Sequence, residues 1–193
     1  MHPSSAFRAP DDAALLDMVA ATGFAHVFTT TSEGPMLVHA PVTHHGDRWR
    51  FHVARANRIT PHLDGAHVLL SVVPVHGYVS PNWYAPTGDQ VPTWNYIGIE
   101  IEARCMAIDE PALVEQLDRL ADVHEPRPAP WTRAKMDAGI FAKMLGGIRG
   151  FELEVTALRG TAKLSQNKTA ADRIGVVRGL TAAGNGALAE TMA

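Results

Sequence analysis

The strongest constraint on this chain is an alternation of apolar and polar residues that returns in three separate places. Between Arg48 and Val53, the apolar Trp49, Phe51 and Val53 alternate with Arg48, Arg50 and His52. Within Thr93 to Ile108, Ile97, Ile99, Ile101, Ala103 and Cys105 alternate with Gly98, Glu100, Glu102 and Arg104, and further on Phe151, Leu153, Val155 and Ala157 alternate with Glu152, Glu154 and Thr156. A period of two is the geometry of a pleated strand, which sends successive side chains to opposite faces. Each segment is therefore a strand with one buried and one wet face, the pattern of an antiparallel sheet.

Weaker signals fill in the rest. Phe24 to Thr31 and Met36 to Thr43 read as strands joined by a hairpin turn at Ser32-Glu33-Gly34-Pro35, with the next turn at His44-His45-Gly46-Asp47. His67 to Pro74 is an apolar run of the length of a buried strand. Ala54 to Gly65 reads as a loop followed by a short helix, and Tyr78 to Val91, with Trp83-Tyr84 and a turn at Thr87-Gly88-Asp89, as an ordered surface loop. Helices are expected from Pro10-Asp11-Asp12 to Thr22-Gly23, after Pro111 through Leu113, Leu117, Leu120 and Ala121, over Trp131 to Leu145, and over Thr169 to Leu180 with a last turn beyond Gly186. Gly150 to Leu164 is expected as a strand pair around a turn at Arg159-Gly160.

With 193 residues, 46% of them hydrophobic, the chain can bury one full core. About six meandering strands, with helices inserted late and at both ends, predict a mainly β, α+β fold: an antiparallel barrel flanked by helices. The expected organisation is a single domain over 1–193, with an N-terminal helix, inserted helices at about 111–146 and a C-terminal helix at about 169–192.

The net charge of -3 gives no broad basic surface for nucleic acid. Cys105 is the only cysteine, which excludes an internal disulfide and a cysteine-rich zinc site, and its place on an apolar strand face makes it an expected core residue. The histidines show neither an HExxH pattern nor helical i, i+4 spacing, so no metal site is expected. Met1 to Asp12 has no apolar signal-peptide core, and every apolar run is interrupted well short of the roughly 20 residues a membrane helix needs. A cytoplasmic protein without membrane contact is the expectation.

Four segments carry potential chemistry. His52, Arg55, Asn57 and Arg58 follow a strand and offer charge-assisted donors for a phosphate, although a solvated loop has the same composition. Lys163-Leu164-Ser165-Gln166-Asn167-Lys168 offers ammonium, hydroxyl and amide groups to an anionic ligand, or equally the boundary and cap of the terminal helix. Val91-Pro92-Thr93-Trp94-Asn95-Tyr96 and the segment Tyr78 to Tyr84, with Ser80, Asn82 and Trp83, suit stacking on a planar ring as well as core or interface packing. No catalytic acid or base is identifiable.

Taken together, VSPNWY at 79–84, VPTWNY at 91–96, GFELEV at 150–155 and KLSQNK at 163–168, with FHVARAN at 51–57, resemble the PaiB family of FMN-binding split-barrel proteins in order and spacing over nearly the whole chain. The resemblance implies a six-stranded antiparallel split β-barrel of the FMN-binding type, assembled as a homodimer with FMN sites along the subunit interface. It places Arg55 and Asn57, beside His52, near the FMN phosphate, and Ser80, Trp94, Asn95, Lys163, Ser165 and Gln166 around the cofactor or interface. Two positions depart from the family pattern: Arg58 follows Asn57 where a proline is frequent, and Glu100 stands where a histidine is frequent. The implied role is negative transcriptional regulation, although no helix-turn-helix with a basic recognition helix is evident. The alternatives are an FMN-dependent oxidoreductase related to pyridoxamine phosphate oxidase, and a haem-binding split barrel with His52 or His76 as axial ligand.

Overall fold

A computed structural model describes residues 3–9, 11–85 and 89–193. Six strands, β1 (Phe24–Thr31), β2 (Gly34–His45), β3 (Arg48–Ala54), β4 (His67–Val79), β5 (Thr93–Ala107) and β6 (Ile148–Lys163), close into a barrel in the order β1-β2-β3-β6-β5-β4. The helices are α1 (Asp12–Thr22), α2 (Glu110–His124), α3 (Ala138–Leu145), α4 (Ala170–Ala182) and α5 (Gly186–Glu190). Closure removes the unpaired strand edges that an open sheet would present.

The hairpin β1–β2 runs in register from Phe24↔Pro41 to Thr31↔Gly34. The expected simple meander ends at β3, which pairs antiparallel with β6 from Trp49↔Leu153 to Ala54↔Ile148, while β4 pairs with β1 through Val27↔Leu70. Packing explains the β3–β6 choice: Phe51 lies opposite Phe151, both 0% exposed, with ring centroids 5.4 Å apart.

Three further expectations are corrected. The strand expected to stop at Pro74 continues to Val79, because proline fixes φ near values a strand tolerates and removes only one ladder donor. Ile148–Lys163 is one continuous strand rather than a pair around Arg159-Gly160. Gly160 serves close packing instead, since a Cβ there would collide with Leu15 and Ala9. The helix expected over Trp131 to Leu145 is an α-helix only from Ala138, where the Asp137 carboxylate accepts the Ile140 N–H at 2.9 Å as N-cap, with a separate 3-10 turn at Arg133–Lys135. Pro10 and the Thr87-Gly88 part of the expected turn lie outside the described residues.

By its internal contacts the chain divides into two compact units, the first comprising Met1–Met18, Val73–Ile99 and Arg159–Ala193 and the second Val19–Val72 and Glu100–Leu158. In the second unit Val27, Val42, Trp49, Phe51, Leu70, Ile101, Phe151 and Leu153 are at most 2% exposed. The polar face of β3 lies under α2, where Arg50 donates to Glu152 at 2.8 Å and to Glu115 at 3.0 Å. In the first unit Val79, Tyr84, Val176, Leu180, Leu188, Ala189 and Met192 form a buried cluster against which Trp83 and Leu164 pack. Burying an aliphatic or aromatic side chain of this size contributes about 1.5–3 kcal/mol. No helix among the described residues is long and apolar enough to cross a membrane.

Candidate functional site

The nine residues expected at a cofactor fall into two groups: His52, Arg55 and Asn57 in the second unit, and Ser80, Trp94, Asn95, Lys163, Ser165 and Gln166 in the first.

In the second unit, β3 ends at Ala54 and the chain is then fixed against the α3–β6 turn. The Arg55 N–H donates to the Gly147 carbonyl at 2.8 Å, its Nε to the Gly146 carbonyl at 2.9 Å and its Nη2 to the Ile148 carbonyl at 3.2 Å. A guanidinium has five N–H donors, so two are committed and three remain. Arg55 lines a cavity of about 400 Å³ together with Arg149, Ile108, Asp109, Glu110 and Gly146. The Asp109 carboxylate there already accepts the Ala112 N–H at 3.0 Å as the cap of α2. Asn57 accepts the Ile59 N–H on Oδ1 at 3.2 Å, which leaves its NH2 group without an acceptor among the described residues. The cavity thus offers a phosphate the free N–H groups of Arg55 and a second arginine, Arg149, whose Nη2 also lies 3.6 Å from Asp64 Oδ2; Asn57 does not line it.

His52 does not line that cavity. Its Nδ1 lies 2.7 Å from Oε1 of Gln116, a residue of α2 that is 0% exposed. An amide oxygen only accepts, so Nδ1 carries the proton. Burial pushes the imidazole pKa below its ordinary value.

In the first unit, most of the expected residues build the scaffold. Asn95, 0% exposed, donates from Nδ2 to Ser165 Oγ at 2.9 Å, and its Oδ1 has no partner among the described residues. Ser165 is itself 4% exposed and has φ of 58°, a left-handed conformation that costs a residue with a Cβ about 1–2 kcal/mol. Gln166 accepts the Leu164 N–H at 2.7 Å and donates to the carbonyls of Ala162 and Ala6. Lys163 donates to Thr93 Oγ1 at 2.6 Å, and Ser80 accepts the Asn82 N–H at 3.2 Å as cap of the turn Pro81–Trp83.

Trp94 is 47% exposed. Its indole N–H donates to His76 Nδ1 at 3.3 Å, and the two rings stack with centroids 5.8 Å apart. Tyr78 stands edge-on to the indole at 6.3 Å. Arg149 was not among the expected site residues, and neither were the carbonyls that hold Arg55. The only sequence signal for them is their place at the start of β6, and that becomes informative once β6 is known to pair with β3. Among the described residues, no group of three or more His, Cys, Asp or Glu is placed to hold a metal ion.

The family described as "Putative FMN-binding domain" matches residues 1–157. The Bacillus subtilis (strain 168) protein "Protease synthase and sporulation protein PAI 2", or PaiB, is 26% identical over 188 residues, spanning 93% of this chain and 89% of that protein. Among solved structures, the flavocytochrome Anf3 from Azotobacter vinelandii superimposes with a TM-score of 0.64 at 20% identity, over 84% of this chain and 72% of that one. The FAD and heme binding protein from Mycobacterium smegmatis does so with a TM-score of 0.61 at 17% identity, over 86% and 78%. At those identities the structural likeness shows the fold, a split barrel, and the match over residues 1–157 supplies the family: the chain belongs to the FMN-binding domain family of PaiB-like split-barrel proteins.

Proposed function

We propose that this chain binds FMN as a homodimer and serves as a PaiB-like negative regulator of gene expression. The observation that carries the flavin reading is Arg55: its guanidinium is fixed by two backbone carbonyls, keeps three N–H donors and lines a cavity shared with Arg149. Arg55 and Arg149 would hold the phosphate, and pre-fixing Arg55 reduces the ordering cost of binding. Bound FMN supplies one- and two-electron redox chemistry, and the chain's part is to bind and orient it.

The homodimer is supported by an apolar outer face on β1 and β2. Phe24, Phe28 and Leu37 are 49%, 38% and 39% exposed, and Phe28 lies opposite both Leu37 and Leu69 in the ladder. Neighbouring exposed apolar side chains such as Phe28 and Leu37 suit an interaction surface. The regulatory role is carried by the likeness to PaiB. It is read as indirect, because α2 carries Glu110, Glu115, Asp118 and Asp122 against Arg119, the wrong charge for a helix laid on DNA.

The test is the visible spectrum of purified protein after addition of excess FMN and removal of the unbound part. Flavin bands that stay with the protein, with Arg55→Ala weakening FMN by about 1.5–3 kcal/mol, are expected. A colourless protein refutes the flavin reading. Reduction of the bound flavin by NADH or NADPH faster than that of free FMN would move the function to an oxidoreductase. A monomer in sedimentation refutes the dimer.

A further inference from the structure

The second unit holds a cavity of about 550 Å³ that is distinct from the one lined by Arg55. It lies between α2, the proline-rich connection that follows it and the start of α3. Asp118 and Asp122 of α2, Trp131, Arg133 and Met136 of the connection and Phe141 of α3 line it, all within the second unit. Its volume is in the range of roughly 300–1,000 Å³ typical of small-molecule sites, and so is its lining of aromatic rings with a few charged groups.

Contacts local to this corner hold the walls in place. The Trp131 N–H donates to the Glu125 carboxylate at 2.9 Å, and Lys135 donates from Nζ to the Pro130 carbonyl at 2.6 Å. Arg133 reaches back to α2 with two donors, Nε to Asp118 Oδ1 at 3.2 Å and Nη2 to Asp118 Oδ2 at 3.1 Å. Its guanidinium carbon also stands 5.6 Å from the centre of the Phe141 ring. A two-pronged pair of this kind defines a geometry as well as a contact, so the connection is tied to α2 and the half-buried Trp131 and Phe141 are positioned in advance of any ligand.

Charge decides what the cavity can hold. Asp118 and Asp122 are four positions apart in α2, hence on one face of the helix, and Arg133 is the single cation among the lining residues. Arg133 is matched to Asp118, whereas Asp122 is exposed and has no hydrogen bond or ion pair among the described residues. The lining therefore keeps one uncompensated negative charge. Asp122 also sits in the last turn of α2, where the helix dipole adds negative potential and favours a cation. Arg133 differs in this respect from Arg55, whose guanidinium meets neutral carbonyls and keeps its charge for an anion. The half-buried Trp131, Met136 and Phe141 add apolar and ring surface, which suits a cation carrying hydrocarbon better than a hydrated metal ion that needs six or so oxygen ligands.

We propose that this cavity binds a compact organic ammonium ion, its N–H groups donating to the Asp122 carboxylate and its apolar or aromatic body lying against Trp131, Met136 and Phe141. The carboxylate sets the sign of the ligand's charge and the rings set the character of its body. The site is independent of the flavin reading, since it shares no residue with the Arg55 cavity.

The probe is phenethylammonium, titrated into the full chain by calorimetry at pH 7, with phenethyl alcohol and phenylpropionate as neutral and anionic molecules of similar outline. Saturable binding of phenethylammonium is expected, at least tenfold tighter than the alcohol and weakening as sodium chloride is raised, with no binding of phenylpropionate. Asp122→Asn should weaken phenethylammonium at least tenfold and leave the alcohol unchanged, whereas Trp131→Leu should weaken both. Asp122→Asn should keep the wild-type circular dichroism and melting temperature, because that side chain has no partner to lose. If Trp131→Leu lowers the melting temperature, Trp131→Phe replaces it, with a smaller loss of binding expected. Absence of phenethylammonium binding overturns the proposal, as does equal binding by wild type and Asp122→Asn or equal binding of the alcohol. Phenylpropionate bound more tightly than phenethylammonium assigns the cavity to an anion, and displacement of phenethylammonium by equimolar magnesium assigns Asp122 to a metal ion; either result also overturns it.

Discussion

Replacing Gly179 by alanine tests how the first unit is packed. In the interior of α4 the substitution alone should stabilise, since alanine is favoured over glycine there by about 1 kcal/mol. The structure opposes that gain. Gly175 and Gly179, one helical turn apart, both face Trp83: a Cβ at 175 would overlap the Trp83 carbonyl oxygen, and one at 179 would overlap Cγ, Cδ2 and Cε2 of the indole. Those three atoms lie at the root of a rigid bicycle and cannot swing aside as a flexible chain end would. Overpacking costs about 1–3 kcal/mol, and an overlap with three ring atoms belongs at the upper end. About 3 less about 1 leaves Gly179→Ala destabilising by about 2 kcal/mol, a fall of about 4–8 °C in melting temperature for a chain of this size.

The deciding measurement is a double-mutant cycle by urea unfolding. In a Trp83→Ala background the obstacle is gone, so Gly179→Ala should there stabilise by about 1 kcal/mol, giving a coupling of about 3 kcal/mol. Stabilisation of the same size in both backgrounds would refute the packing argument. Gly186→Ala is the control, because nothing lies within 4 Å of a Cβ at that position.

Burial holds the imidazoles of His52 and His45 below their ordinary pKa of 6.5, with Arg50 and Arg119 adding to the effect at His45. The unfolded chain then takes up protons first on acidification, so their contribution is complete above about pH 6.5 and is lost as pH falls from there towards the folded values. The urea midpoint should drop between pH 7.5 and pH 5, less steeply in His52→Gln, and an unchanged slope in that variant would count against the buried pair with Gln116. Burial, with Asp64 nearby, pushes the Cys105 thiol up to about 12, so it should resist a thiol reagent at pH 8 until urea unfolds the chain. Rapid labelling of the native protein would contradict its place in the core. The Asp172 carboxylate accepts the Ala85 N–H and the Thr169 hydroxyl, each at 2.9 Å, which keeps it ionised below its usual range. Its contribution is present above about pH 3.8 and lost as pH falls through the folded value, so Asp172→Asn should lower the midpoint at pH 7, with the gap to wild type narrowing as pH falls below about 3.8.

Local periodicity carried much of the fold. Trp49, Phe51 and Val53 in β3, and Ile97 through Cys105 in β5, announce their inward faces because a strand's alternation is a property of neighbouring residues. Helix boundaries with a chemical marker were equally readable, as at Gly23, whose φ of 63° ends α1. The proline-rich stretch before α3 was not. Its apolar residues suit a helix from Trp131, yet the cap that starts one is Asp137, and composition does not rank those two sites.

For the candidate site, residue types were legible and partners were not. The donor chemistry of Arg55 and Asn57 and the aromatic character of Trp94 are written in the sequence. That Asn95 and Ser165 hold each other and Gln166 holds backbone groups, while Trp94 stays open beside His76 and Tyr78, follows from contacts between segments some 20 to 160 positions apart. The sequence alone determined where most strands lie and which faces must be buried, since both depend on spacing within a few residues. Only the tertiary structure decided that β3 pairs with β6, that Arg55 meets the carbonyls of Gly146 and Ile148, and which aromatic rings remain uncovered, because barrel closure selects among distant pairings by how well their side chains pack.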